Sequence, residues 1–141
     1  MQEKSTDSND SFKPITIVLE PLRTVTESNS GGHWRTRHTR GKKQRELAYY
    51  MLKHLLTTPA CLPLPLTITL TRISPRSLDM DNSISAAKHI IDGIVDFVLD
   101  CPGEGHKHDN DPRLTWRYQQ RKGGVRRYAV EIRFEARAAA S

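Results

Sequence analysis

The chain has 141 residues, 36% hydrophobic and 27% charged, with a net charge of +6; that is enough for one domain with a single packed core. No run approaches the roughly 18 apolar residues a membrane span requires, and the start of the chain lacks the apolar region of a signal peptide, so a soluble protein with no membrane contact is expected. Cys61 and Cys101 form no paired-cysteine spacing, which argues against a disulfide framework or a four-cysteine zinc site and for reduced thiols in a cytoplasmic protein.

Residues 1–12, MQEKSTDSNDSF, are almost wholly polar, cannot offset the entropy of ordering, and are expected to form a disordered tail. The domain is expected to span residues 13–137, followed by a short tail over 138–141. Lys13 to Glu20 is β-branched and ends at Pro21, which predicts a strand. Between His33 and about Thr57 the four-residue recurrence of Leu47, Met51 and Leu55 predicts a helix, which the prolines of residues 58–65 break. Leu66 to Ile73 alternates as a second strand. Ser83 to about Leu99 carries one apolar stripe (Ile84, Ala87, Ile91, Ile94, Val95, Val98) and predicts a second helix, with Asp81 or Asn82 suited to cap it. Leu114–Tyr118 and Tyr128–Phe134 read as two further strands, joined through Lys122-Gly-Gly124 in a turn that suits a hairpin. The predicted order is β-α-β-α-β-β, an α+β fold with a small mixed sheet.

The charge is distributed in blocks. Arg35, Arg37, Arg40, Lys42, Lys43 and Arg45 form a basic run without an acid, and Arg113, Arg117, Arg121, Lys122, Arg126 and Arg127 form another. From Asp79 to Asp111 the sign reverses, with eight acids, Asp79, Asp81, Asp92, Asp96, Asp100, Glu104, Asp109 and Asp111, against Lys88 and Lys107. Basic runs are the electrostatic footprint of a polyanion such as nucleic acid. Carboxylates repel a phosphate backbone unless a cation stands between them.

Asp79 and Asp81 stand two apart in SLDMDN. On an extended segment both carboxylates point to one side, where their repulsion is relieved by a shared proton or a hard divalent ion. An EF-hand loop is excluded, because its glycine position falls on Ile84 and its terminal glutamate on Ile90. The plainer alternative is that these acids cap the helix and favour its positive end. On a continuous helix Asp81, Ser85, Lys88, Asp92 and Asp96 share a stripe, which aligns Lys88 with the acids to contact a phosphate oxygen or, more simply, to pair with Asp92.

The stretch SLDMDN, then Lys88-His89-Ile90-Ile91-Asp92-Gly93, then Asp109-Asn110-Asp111 leading into Trp116-Arg117-Tyr118, and the strand YAVEIRF together resemble the RusA-like Holliday junction resolvases, particularly the phage type. Asn29-Ser30-Gly31-Gly32-His33-Trp34-Arg35 with Gln44-Arg45 is similar to that family's opening segment, so the likeness runs over nearly everything from Lys13 to Phe134. The resemblance implies a RusA-like fold and an endonuclease of bacterial or phage origin. It implies nicking of branched DNA such as a four-way junction by a homodimer, with Mg²⁺ held by three aspartates: Asp79, Asp81 and Asp109. Lys88 corresponds to the family's catalytic or phosphate-contacting lysine and Asp92 to the acid one turn after it. Two features depart from the pattern. Lys88 follows Asp81 by seven residues where four is usual, with Ser85 in the nearer place. His108-Asp109 stands where paired acids are common, in a loop enlarged by CPGEGHKH, which makes Asp111 a replacement or assistant for Asp109.

In this reading Arg35, Arg37, Arg40, Lys42, Lys43, Arg45, Arg117, Arg121 and Lys122 bind the DNA backbone without reading bases. Trp34 or Tyr118 is a candidate to stack on unpaired bases, against the simpler role of a core aromatic. One rival is a non-catalytic nucleic-acid-binding module with structural acids. Another is a zinc protein using Cys101, His106, His108 and Asp109, whose spacing matches no zinc signature.

Overall fold

The computed structural model describes residues 12–22, 24, 34–56, 62–101, 103–108 and 110–137, without the side chains of residues 34–38 and 106. Its elements are β1 (Ile15–Leu19), α1 (Trp34–Leu56), β2 (Leu66–Ser74), α2 (Met80–Ala86), α3 (Lys88–Val98), a 3₁₀ turn at Gly105–Lys107, β3 (Leu114–Lys122) and β4 (Ala129–Ala136). The mixed α+β class follows the prediction, but the order does not, because the second helix is two helices. At Ala87 (φ −93°, ψ 1°) the backbone N–H bonds back to Ile84 O, closing the helix with a tight turn, and α3 restarts at Lys88. The cap is also displaced: Asp79, not Asp81 or Asn82, occupies the N-cap, which starts the helix three residues early.

The four strands lie in the order β1-β4-β2-β3. β4 runs antiparallel to both β1 and β2, and β3 runs parallel to β2. The predicted hairpin between β3 and β4 is therefore absent, since β2 separates them. Two strand spacings, about 9.6 Å, are too wide for a two-residue turn, and residues 123–128 cross over the end of β2 instead. There Gly123 N–H donates to Ser74 O at 3.0 Å. A Cβ on Gly123 would collide with the Ile73 side chain, so glycine is what lets the crossing pass this close.

Alternation sets the two faces of the sheet. Leu66, Ile68 and Leu70 of β2 join Ile17 and Leu19 of β1 and Val130, Ile132 and Phe134 of β4 in one buried core with the helices. The helical side of this core comes from Ala48 and Leu52 of α1 and Ile90, Ile91, Ile94 and Val98 of α3. The inward face of α1 is thus not the Leu47–Met51–Leu55 row seen in the sequence; Leu47 and Leu55 are 42% and 51% exposed. α1 and α3 touch closely at Gly93, where a Cβ would collide with Arg45 O. The opposite face of the sheet carries Thr67, Thr69 and Thr71, all buried, in register with Glu135, Arg133 and Glu131 of β4. No described helix is long and apolar enough to cross a membrane.

Candidate functional site

SLDMDN forms the connection from the end of β2 into α2. Its approach is pinned from β3: Gln120 Oε1 accepts from Leu78 N at 2.9 Å and Gln120 Nε2 donates to Leu78 O at 2.5 Å. Arg72 braces the same turn, donating to Arg76 O at 2.8 Å and to Gln120 Oε1 at 3.3 Å. Ser74 Oγ also donates to Arg76 O. Neither Gln120 nor Arg72 stands out in the sequence; the parallel register that sets Arg72 beside Gln120 makes them a clamp.

Beyond the clamp, Asp79 Oδ1 accepts from Asn82 N at 2.8 Å and Asp79 Oδ2 from Asn82 Nδ2 at 3.0 Å. The carboxylate therefore caps α2. Asp81 lies in the first helical turn, so the alternation expected of an extended Asp-x-Asp segment does not govern the pair. Both acids are exposed.

The expected stripe from Asp81 to Asp96 is broken at Ala87. Asp81, Ser85 and Lys88 are exposed, whereas Asp92 and Asp96 are 5% and 3% exposed. Lys88 Nζ contacts Asp92 Oδ1 at 3.0 Å. Asp96 is a structural anchor: Arg45 grips it with two bonds, Nε to Oδ2 at 2.7 Å and Nη2 to Oδ1 at 2.9 Å, and Gly105 N donates to Oδ1 at 2.6 Å. This ties α1, α3 and the following loop together, and the hydrogen bond to Asp96 holds the Arg45 guanidinium above its ordinary pKa. Arg45, expected to bind DNA, is thus turned to an internal partner.

Asp111 stands at the entrance to β3, where Arg113 grips it through Nε at 3.0 Å, Nη2 at 2.9 Å and the backbone N–H at 2.9 Å. The side-chain bonds, followed by the backbone bond, hold its pKa down at about 2. Leu78 adjoins Gln120 near the far end of β3. From Leu114 to Gln120 the strand covers about 20 Å at ~3.3 Å per residue, so Asp111 and the SLDMDN turn lie towards opposite ends of β3. Asp109 lies outside the described residues, as do the side chains of Arg35, Arg37 and His106.

The basic groups divide between two surfaces. Arg40, Lys42 and Lys43 belong to α1, on the helical side. Arg117 and Arg121 alternate onto the other face of the sheet, and Arg121 bonds Glu131 at 3.1 Å. Tyr118 stacks on Trp116, with centroids 6.4 Å apart and planes 6° from parallel, and packs against the core. Burial, then nearby Asp96 and Glu104, push the Cys101 thiol pKa up, and its Sγ faces Val95 O at 3.7 Å.

Among the described residues no three His, Cys, Asp or Glu side chains gather into a metal-binding group. Mg²⁺ is commonly held by only one or two carboxylates, with water and substrate phosphate completing its shell; of the two acids at the head of α2, Asp79 has both oxygens engaged by Asn82 and Asp81 is exposed in the first turn. No protein-family model, curated protein or solved structure matches the chain.

Proposed function

We propose that the chain is a Mg²⁺-dependent endodeoxyribonuclease that nicks branched DNA, four-way junctions foremost, and acts as a homodimer. The observation that carries this reading is the clamped turn. Gln120 and Arg72 hold a short segment that presents Asp79 and Asp81 at the exposed head of α2, and the Lys88–Asp92 pair follows just past the helix break. Asp79 and Asp81 would hold the ion; Asp109, the third ligand of the family resemblance, lies outside the described residues, and Asp111, expected to replace or assist it, stands towards the other end of β3 and does not join them. A bound Mg²⁺ supplies charge neutralisation at the scissile phosphate and a more acidic water. Lys88, tethered by Asp92, offers an ammonium to a phosphate oxygen. Cations on both faces of the sheet suit a substrate whose arms diverge better than one straight duplex. Two-fold pairing of subunits suits the two nicks a junction requires.

A second reading, a nucleic-acid-binding module with structural acids, is favoured by the caps themselves: Asp79 is engaged by Asn82, and Asp111 by Arg113. The two readings separate when a synthetic four-way junction and a plain duplex are incubated with the protein, with and without Mg²⁺. The nuclease reading expects metal-dependent cutting of the junction, reduced at least about 100-fold in Asp81→Asn, with binding retained or improved. Binding without cutting under every condition, unchanged in Asp81→Asn, establishes the module instead.

A further inference from the structure

We infer that the outward stripe of α1 is the contact between two copies of this chain, laid antiparallel across a two-fold axis; the inference rests on the homodimer of the reading above and names the face that forms it. Leu47, Tyr50, Met51 and His54 recur at spacings of three and four and so share one side of α1, turned away from Ala48 and Leu52, which face the core. Leu47 is 42% and Tyr50 62% exposed. Towards β1 the stripe continues through Leu55 to Val18, 51% and 39% exposed, and with Tyr50, Met51 and His54 these two border a shallow apolar hollow of about 330 Å³. Scattered exposed apolar side chains need no partner. A contiguous stripe along a helix and onto the neighbouring strand marks an interaction surface.

Charge selects the occupant and its direction. The stripe lies in the C-terminal half of α1, whereas the basic run from Arg35 to Arg45 fills the N-terminal half without an acid. Parallel helices would lay one basic run against the other. An antiparallel pair joined near residue 49 sends the two runs to opposite ends, their centres about 27 Å apart at ~1.5 Å per residue, which leaves two separate cationic ends for the arms of a branched substrate. Beside the stripe Glu46 and Lys53 are both exposed and stand about two turns apart on one flank of the helix, where Lys53 Nζ lies over the Tyr49 ring, 5.8 Å from its centroid. At that spacing they are not neighbours within one helix. The antiparallel arrangement sets each Glu46 against the partner's Lys53, so a single flank supplies both halves of two identical ion pairs, as charges beside the seam of paired helices do. Such self-complementarity is what a two-fold contact requires.

The test is sedimentation equilibrium on the full chain without DNA, with circular dichroism to verify that each variant is folded. Wild-type protein is expected to sediment as a dimer. Tyr50→Ala is expected to raise the dimer Kd at least about tenfold. Glu46→Lys and Lys53→Glu are each expected to raise it about fivefold or more, and the double variant Glu46→Lys/Lys53→Glu to return it to within about twofold of wild type. That recovery requires reciprocal contact between copies, since the two side chains are not neighbours within one chain. Val125→Ser, at a residue 88% exposed outside the stripe, is expected to behave as wild type. A dimer indifferent to Tyr50→Ala and to both charge reversals uses another face, which overturns the inference and leaves the nuclease reading standing. Single variants that dissociate the dimer with no recovery in the double variant overturn the antiparallel arrangement. A chain that stays monomeric at the highest concentration tested overturns the inference together with the homodimer, while Mg²⁺-dependent junction cutting by the same sample decides the nuclease reading separately.

Discussion

Asp79 is assigned two roles that substitution separates. Its carboxylate caps α2 through Asn82 N–H, and asparagine caps almost as well, whereas alanine does not. Asp79→Ala should therefore lower stability by about 1 kcal/mol and Asp79→Asn by only a few tenths in urea unfolding. In the nuclease reading both should lose metal-dependent cutting. An activity that survives Asp79→Asn would reduce this residue to a cap. Asp111 gives a prediction in pH. With a folded pKa of about 2, below the ordinary 3.8, its contact with Arg113 contributes stability that is present above pH 3.8 and fades as pH falls towards 2. Carboxyl chemical shifts followed by NMR should report that low midpoint, and Arg113→Ala should move it back towards the ordinary carboxylate range. Since the Arg113 side chain is about half exposed to solvent (53%), the change in overall stability should be small.

At the level of elements, the close approach of α1 and α3 depends on Gly93. Its missing side chain leaves room for Arg45 O, next to the Arg45–Asp96 ion pair that fixes the same helix pair. Gly93→Ala should cost about 1–3 kcal/mol despite alanine's better helix propensity, because a backbone atom cannot move aside as a flexible side chain can. An unchanged urea midpoint would show that the helices have slack. Much of this layer was readable in advance: β-branched alternation gave the strands at Ile15–Leu19 and Leu66–Ser74, and the stripe through Ile91, Ile94 and Val98 gave α3. The misreadings share a cause. Local pattern did not reveal that Ala87 closes a helix, that α1 faces inward through Ala48 and Leu52, or that Asp96 is buried under Arg45, because each depends on what lies opposite in space. The acids of SLDMDN were legible as residues, while the Gln120 clamp was not, since it forms only once β2 and β3 pair in register.

For the molecule as a whole, charge sits on two surfaces rather than in one groove. In the nucleic-acid reading, DNA binding should weaken steeply with salt, and a Lys42→Ala/Lys43→Ala double variant should lower the slope of log affinity against log salt by about two. A slope that does not change would place the DNA away from α1. The strand order has a further consequence, for the route by which the protein forms. Among the described strands β1 pairs only with β4, setting Ile15 against Phe134, while β4 must also dock along β2. The earliest strand thus waits for the last before it can join the sheet, and β4 must slot between two edges that stand unsatisfied until it arrives. Such distant closures slow folding, so a nascent chain would carry open strand edges, vulnerable to aggregation, until its final strand is seated.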